Sequence, residues 1–342
     1  MSITVAELEA ALGEFPRKRI AVVGDLFLDR YFDIDGRLTE KSIETGLDAY
    51  QVVGTREYPG AAGTVLRNLS ALGVGCIVPV TFIGDDMEGW ALYRLLDQLP
   101  NVCLDHVIRT GHRLTPTYMK PLLTDCQPPR ELNRLDKKNR TPVPAALVRQ
   151  LSASLDDAHR SCDVVIAVDQ VTEPECGVLG VALRERLCEL AVRRPRGPVI
   201  VESRSRLAHY HHVVLHGNFD ECTRAYRDLH GTAPPLEPDE LATKLSRTVH
   251  APVVCTLGER GAVVADGASA VELPAVPVEG PLDIVGAGDA VLAGTAATLA
   301  IGWPLHKAVQ FGQLVAAITI RKLGETGTAS PDELRALLGS RP

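Results

Sequence analysis

With 342 residues, 45% of them hydrophobic and 23% charged, the chain can bury a substantial core, which excludes a disordered polymer. A formal net charge of −7 argues against nucleic acid or an anionic membrane surface as partner. No apolar run reaches transmembrane length, and the acidic, amphipathic start through Glu7-Leu8-Glu9 is unlike a signal peptide.

Residues 1–16 read as a short peripheral helix ended by Pro16. Arg19-Ile20-Ala21-Val22-Val23-Gly24-Asp25 is continuously apolar, as parallel strands buried on both faces are. The turn expected after it carries Leu26-Phe27-Leu28-Asp29-Arg30-Tyr31 and lacks the Gly-x-Gly-x-x-Gly of a dinucleotide fold. No Gly-x-x-x-x-Gly-Lys-Ser/Thr occurs anywhere, so a Walker-type loop is excluded as well. Residues 31–58 alternate polar and apolar, and Gly36, Gly46 and Gly54 cut them into short strands. Pro59-Gly60-Ala61-Ala62-Gly63-Thr64 opens a helix that ends at Leu72-Gly73.

A strand over 76–82 leads through Gly84-Asp85-Asp86 into a helix to about Leu99, where an acid suits the N-cap. Residues 115–136 supply a second set of short strands. Helix 142–159, strand 163–168, helix 175–193 and strands 199–201 and 213–215 then alternate, as in a parallel α/β sheet. His209, His211, His212 and His216 have no acidic or cysteine partner at ligand spacing, which disfavours zinc. Asn218-Phe219-Asp220-Glu221 is a helix-capping pattern at a strand end. Thr256-Leu257-Gly258-Glu259-Arg260-Gly261 reads as a hairpin whose glycines suit a tight turn. The eight cysteines are scattered without a C-x-x-C pair, which predicts reduced thiols and a cytoplasmic protein.

The chain is organised around Leu282-Asp283-Ile284-Val285-Gly286-Ala287-Gly288-Asp289-Ala290. Gly286 and Gly288 allow a sharp turn, and the apolar helix that follows runs to about Ile301, with Gly302 and Pro304 closing it. Unpaired N–H groups of Gly286, Ala287 and Gly288 would make an anion site at that helix N-terminus. Asp289 stands where it would take a proton from a substrate hydroxyl. Anion hole plus base is the equipment of phosphoryl transfer.

Asp-x-x-Gly-Ala-Gly-Asp, with Gly294 five residues on, resembles the C-terminal signature of the ribokinase-like (PfkB) sugar kinases. Gly24-Asp25-Leu26-Phe27-Leu28-Asp29-Arg30-Tyr31 resembles the opening of their heptose-7-phosphate kinase branch, as does the tail Lys322-Leu323-Gly324 through Ser330-Pro331. The resemblance covers about residues 18–338. It implies one α/β/α kinase domain over 1–342 with a mostly parallel sheet and a small β-lid from segments 31–58 and 115–136. It implies ATP and Mg²⁺, with Asp289 as base over the Gly286–Gly288 anion hole. Asp29, with the Gly60-Ala61 turn and Thr64, would meet the sugar, and Lys120 and Arg134 would meet it from the lid. Asn218, Arg204, Thr256, Gly258, Gly261 and Asp283 would line the ATP side, and Glu221 would order the water around Mg²⁺.

The departures are specific. Ala61 and Thr64 replace a glycine and an asparagine of the family pattern, Thr172 stands where a lysine is expected, and Arg204 replaces another lysine. They leave open a hexose, pentose or nucleoside as acceptor, or a binding-only pseudokinase. The heptose branch often carries a fused nucleotidyltransferase, for which the chain has no room. Lid-to-lid homodimers are common in the family, and an exposed apolar lid face would support one here.

Overall fold

The computed structural model describes residues 3–126, 129–193, 197–324 and 326–339. Met1, Ser2, Glu325 and positions 127–128 of the second lid segment lie outside the described residues. Helix α1 (Val5–Glu14) is held by a capping box between Thr4 and Glu7. In β1 (Arg19–Gly24) successive residues serve opposite faces: Ile20 and Val22 enter one core, Ala21 and Val23 the other. That is why the strand reads as an unbroken apolar run.

The chain leaves the central sheet at once. The strand β2 (Leu26–Ile34), the small hairpin β3 (Glu40–Lys41) and β4 (Asp48–Ala49), and β5 (Val52–Ala61) follow in order. β2 pairs antiparallel with β5 from Leu26 opposite Ala61 onward. The lid therefore begins at Leu26, not at 31, and Asp29 sits on a strand where a turn was expected. The apolar Leu26-Phe27-Leu28 start anchors that strand in the protein before it emerges as lid.

Helix α2 (Ala62–Ala71), β6 (Cys76–Gly84), α3 (Met87–Asp97) and β7 (Val107–Thr110) return to the central sheet. Asp86 caps α3, accepting from Gly89 N–H at 2.8 Å and from the Thr115 hydroxyl at 2.7 Å. β8 (Thr117–Leu123) then rejoins the lid parallel to β2, with Tyr118 opposite Asp29 and Lys120 opposite Tyr31. β9 (Arg130–Glu131) and β10 (Leu135–Lys137) complete this five-stranded sheet on β8.

The remaining chain is α4 (Ala145–Ser161), β11 (Val164–Asp169), α5 (Val181–Arg193), β12 (Val199–Ser203), β13 (Val214–Asn218), α6 (Phe219–His230) and α7 (Pro238–Val249). After them come β14 (Val253–Thr256), β15 (Ala262–Ala265), β16 (Ala270–Leu273), α8 (Ala287–Ala300), α9 (Leu305–Thr319) and α10 (Pro331–Gly339). α5 starts six residues later than expected. Glu175 takes φ 55°, outside the helical region, and its carboxylate instead accepts the Val181 N–H that opens the helix.

The central sheet has nine strands in the order β16-β15-β14-β13-β12-β11-β1-β6-β7, parallel from β14 to β7 and antiparallel across β15 and β16. Helices α1, α2, α3, α8, α9 and α10 pack on one face and α4 to α7 on the other, which makes three layers. Nine residues of α8 are buried, so this helix is apolar all round rather than on one stripe. Among the described residues no helix is long and apolar enough to cross a membrane.

Candidate active site

The carboxyl ends of the parallel strands meet the lid across a cavity of about 440 Å³. Open α/β sheets hold ligands at this edge, because the strand ends deliver loops and helix N-termini to one place. Gln170 follows β11, Glu202 and Arg204 stand at the end of β12, and Asn218 and Glu221 join β13 to α6. Phe27, Asp29, Tyr118, Lys120, Arg134 and Lys138 face them from the lid. Ala61, Thr64, Thr326 and the turn from Ile284 to Asp289 close the remaining side.

The turn is shaped by Gly286, which adopts φ 79° as the N-cap of α8. A Cβ there would lie 2.4 Å from Thr326 Cγ2, so both conformation and space require glycine. Asp283 braces the loop from behind: its carboxylate accepts Val285 N–H and Gly324 N–H, each at 3.1 Å. The Ala287 N–H is donated to the Ile284 carbonyl at 3.1 Å. Of the three expected anion-binding N–H groups, those of Gly286 and Gly288 have no hydrogen-bond acceptor among the described residues. Burial pushes the Asp289 carboxyl well above the usual carboxylate range, and Glu202 pushes it further. Arg204 pulls it back, while Asp29 and Glu221 add to the rise.

Asn218 and Glu221 form a capping box in which each side chain accepts the other's backbone N–H at 2.9 Å. Burial raises the Glu221 carboxyl against the lowering effect of the Asn218 N–H. Glu202 accepts from Gln170 Nε2 at 3.1 Å and meets His216 Nδ1 at 3.2 Å. The other ring nitrogen of His216 is buried without a partner among the described residues. Gln170 is placed in turn by Asp25, whose carboxylate accepts the N–H groups of Gln170, Val171 and Val178 at 3.0, 2.9 and 2.7 Å. Burial, with Asp169 nearby, pushes Asp25 up to about 6.

Among the described residues no three His, Cys, Asp or Glu side chains converge as a metal cage. Mg²⁺ keeps several waters and takes only one or two carboxylates beside substrate phosphates. Glu221 and Glu202 on the cavity wall fit that donor set.

On the lid side the charges hold one another. Lys120 Nζ lies 3.0 Å from Asp29 Oδ1 and 3.1 Å from the Tyr31 hydroxyl. Burial works to lower the Lys120 ammonium, but Asp29 and Tyr31 carry it above its ordinary value. Arg134 grips Asp136 with two hydrogen bonds of 2.6 and 2.9 Å, and its guanidinium lies 4.8 Å from the Tyr118 ring centre. Lys138 stands 5.7 Å from the same ring. Lys120, Arg134, Lys138 and Arg204 thus put four cations on one cavity.

Of the residues marked in the sequence, Asp29, Ala61, Thr64, Lys120, Arg134, Arg204, Asn218, Glu221, Gly286, Ala287, Gly288 and Asp289 share this wall. Gly60 lies just behind it, where a Cβ would meet Asp29 Oδ2 at 2.3 Å. Asp283, Thr256, Gly258 and Gly261 do not line the cavity. Thr256 pairs with Asn218 in the sheet, and Gly261, at φ 101°, is needed because a Cβ would meet the Leu273 carbonyl oxygen at 2.0 Å. Phe27, Gln170, Glu202, Lys138 and Thr326 were not singled out. Phe27 had a signal in its period-2 spacing from Asp29; the others become neighbours only through the fold.

A mostly parallel sheet with a small β-lid over its strand ends is the ribokinase-like fold. Ribokinase of Arabidopsis thaliana, solved with ribose and ATP, superposes with a TM-score of 0.67 at 18% identity, covering 95% of this chain and 99% of that one. Phosphofructokinase-2 of Escherichia coli superposes with a TM-score of 0.69 at 17% identity, covering 94% and 98%. Residues 17–333 match the pfkB family of carbohydrate kinases, and the chain belongs to that family. It is a carbohydrate kinase by membership. The bifunctional protein HldE of Acidiphilium cryptum (strain JF-5) is 31% identical over 336 residues. That match covers 96% of this chain, which spans 65% of the relative's length.

Proposed function

We propose that the chain is a single kinase domain that transfers the γ-phosphoryl group of ATP to a hydroxyl of a sugar phosphate, with a heptose 7-phosphate as the leading acceptor. The observation that carries this reading is the placement of Asp289, at the N-terminus of α8, on one cavity with the lid cations Lys120, Arg134 and Lys138. One end suits a reacting hydroxyl. The other suits a phosphate the acceptor already carries. The likeness to HldE supports the heptose branch.

In this reading Asp29 accepts hydrogen bonds from sugar hydroxyls, with Lys120 Nζ 3.0 Å away holding its side chain in place. Asp289 takes the proton of the attacking hydroxyl as its oxygen bonds to the γ-phosphorus. The bond from that phosphorus to the bridging oxygen breaks, and ADP leaves with the electron pair. A carboxyl with a raised pKa is a better match to an alcohol proton than an ordinary one. The N–H groups of Gly286 and Gly288 stabilise charge on the transferring group from a fixed position, without reorganisation. Mg²⁺ would neutralise phosphate charge, with Glu221 and Glu202 holding its waters. Arg204, Asn218 and the hairpin at Thr256, Gly258 and Gly261 line the approach of the nucleotide, and Asp283 keeps the loop in shape.

Unpaired cysteines throughout the chain support a reducing compartment, the cytoplasm. The outer lid and its hairpin leave Ile43 98% and Leu47 70% exposed, with Leu38 and Val53 also uncovered. This apolar face supports a lid-to-lid homodimer. A monomer mass in light scattering at micromolar concentration would remove that part of the proposal.

The primary test is ADP formation from ATP over a panel of sugars and sugar phosphates, with Asp289→Asn as control. Turnover on a phosphorylated acceptor, reduced ~10²–10⁴-fold in the variant while ATP still binds, is the expected result. Turnover confined to unphosphorylated sugars or nucleosides would overturn the phosphate assignment and keep the base.

A further inference from the structure

Ala61 occupies a backbone conformation that belongs to glycine. Its φ of 53° and ψ of −121° at the N-cap of α2 lie away from the left-handed helical basin in which His250, also at positive φ, sits. An L side chain carries strain there that glycine avoids, and such strain concentrates at functional sites. The conformation is imposed by the crossing from β5 into α2, where Ala61 pairs with Leu26 and the Ala62 N–H reaches the Asp25 carbonyl at 3.0 Å.

The neighbours show what the fold alone demands. A Cβ at Gly60 would meet Asp29 Oδ2 at 2.3 Å, and one at Gly63 would meet Pro59 Cβ at 2.4 Å. Both positions are glycine for lack of room. Position 61 calls for glycine by conformation, and the chain keeps a methyl there. Ala61 lies on the cavity wall with Asp29 and Thr64. Thr64, whose main-chain carbonyl accepts from Asn68 Nδ2 at 3.0 Å, stands on the same wall.

We propose that the Ala61 methyl determines which acceptor epimer this kinase accepts. The inference rests on reading the cavity as the acceptor site. A ring carbon whose hydrogen points at residue 61 packs against the methyl. Its epimer points a hydroxyl there, loses the water that solvated it and finds no hydrogen-bond partner on an apolar group. The chemical class selected is a sugar or sugar phosphate carrying hydrogen on that face, next to the carbon whose hydroxyl Asp29 holds. Apolar contacts of this kind discriminate by ~10- to 10²-fold.

The test is kcat/KM on epimeric pairs of sugar phosphates and of free sugars, for the parent, Ala61→Gly and Ala61→Ser. The parent is expected to prefer one epimer of a pair by ~10-fold or more. Ala61→Gly should cut that preference to under about threefold by gain on the disfavoured epimer, without loss of melting temperature, because it relieves the strained alanine. Ala61→Ser, which restores a polar partner at similar volume, should give an intermediate gain. Epimer ratios unchanged in both folded variants would overturn the role of Ala61. Failure of the phosphorylated-acceptor reading is distinct: it appears as turnover only in the free-sugar series, where the epimer ratio is still read.

Discussion

The two walls of the cavity secure their charges by different means. On the sheet side the carboxylates are fixed by the protein itself: Glu221 through its capping box, Glu202 by Gln170 and His216, and Asp289 by its place in the first turn of a helix whose body is buried. On the lid side charges are fixed by one another, Lys120 on Asp29 and Arg134 on Asp136, on a thin sheet whose outer hairpin is open to solvent. The first arrangement holds its geometry with or without a ligand. The second can exchange one of its partners for a substrate oxygen at modest cost, because each pair is only partly buried. The proposed function accordingly assigns chemistry to the sheet wall and selection to the lid.

Substitutions on the two walls should separate accordingly. Asp289→Asn carries the largest effect, in kcat, with little change in ATP affinity. Lys120→Met comes next and should act on the acceptor: KM for a phosphorylated acceptor rising ~10- to 10²-fold, the loss of one charge-assisted hydrogen bond. The change in kcat should be the smaller of the two. Steady-state kinetics with acceptor varied at saturating ATP checks this. A fall confined to kcat would place Lys120 with the chemistry and break the division between the walls.

What the sequence disclosed follows the same division. The Gly286–Asp289 turn is legible because its parts are contiguous: the glycines, the acid and the helix that presents them lie within a few residues. Asn218 and Glu221 are legible for the same reason, three residues apart across one helix start. Glu202 lies on β12 and Gln170 just past the end of β11, 32 residues apart, and their hydrogen bond exists only once β11 and β12 are paired. Asp29 was expected on a turn because its strand departs from the central sheet after a single residue, Asp25, so that Gly24 reads as the end of a strand and the start of a loop. His216 was weighed with a histidine cluster to which it does not belong. As the middle residue of β13 it points under the site, toward Glu202, while His212 stacks on His250 at 5.8 Å elsewhere. Register and strand order decide such contacts, and neither is written in local periodicity.

The smallest expected effect gives the most direct evidence on the sheet wall, since it concerns where activity titrates and not how large it is. On the proposed reading Asp289 serves as base only when unprotonated, and burial raises its pKa, so kcat/KM should fall as pH drops through that raised value. Glu202 helps to raise it and Arg204 opposes the rise. Glu202→Gln removes a negative neighbour, so the carboxyl becomes more acidic and the acid limb moves to lower pH. Arg204→Met removes the positive neighbour, and the limb moves to higher pH. Each shift should be on the order of a few tenths to one pH unit, the scale of one charge acting across a partly solvated cavity. Both variants will also lower the height of the profile, because both residues face the ligands. The position of the limb is the quantity that discriminates, since damage to binding has no reason to move it in opposite directions. Limbs displaced the same way, or fixed in both variants, would show that a group other than Asp289 controls the ionisation.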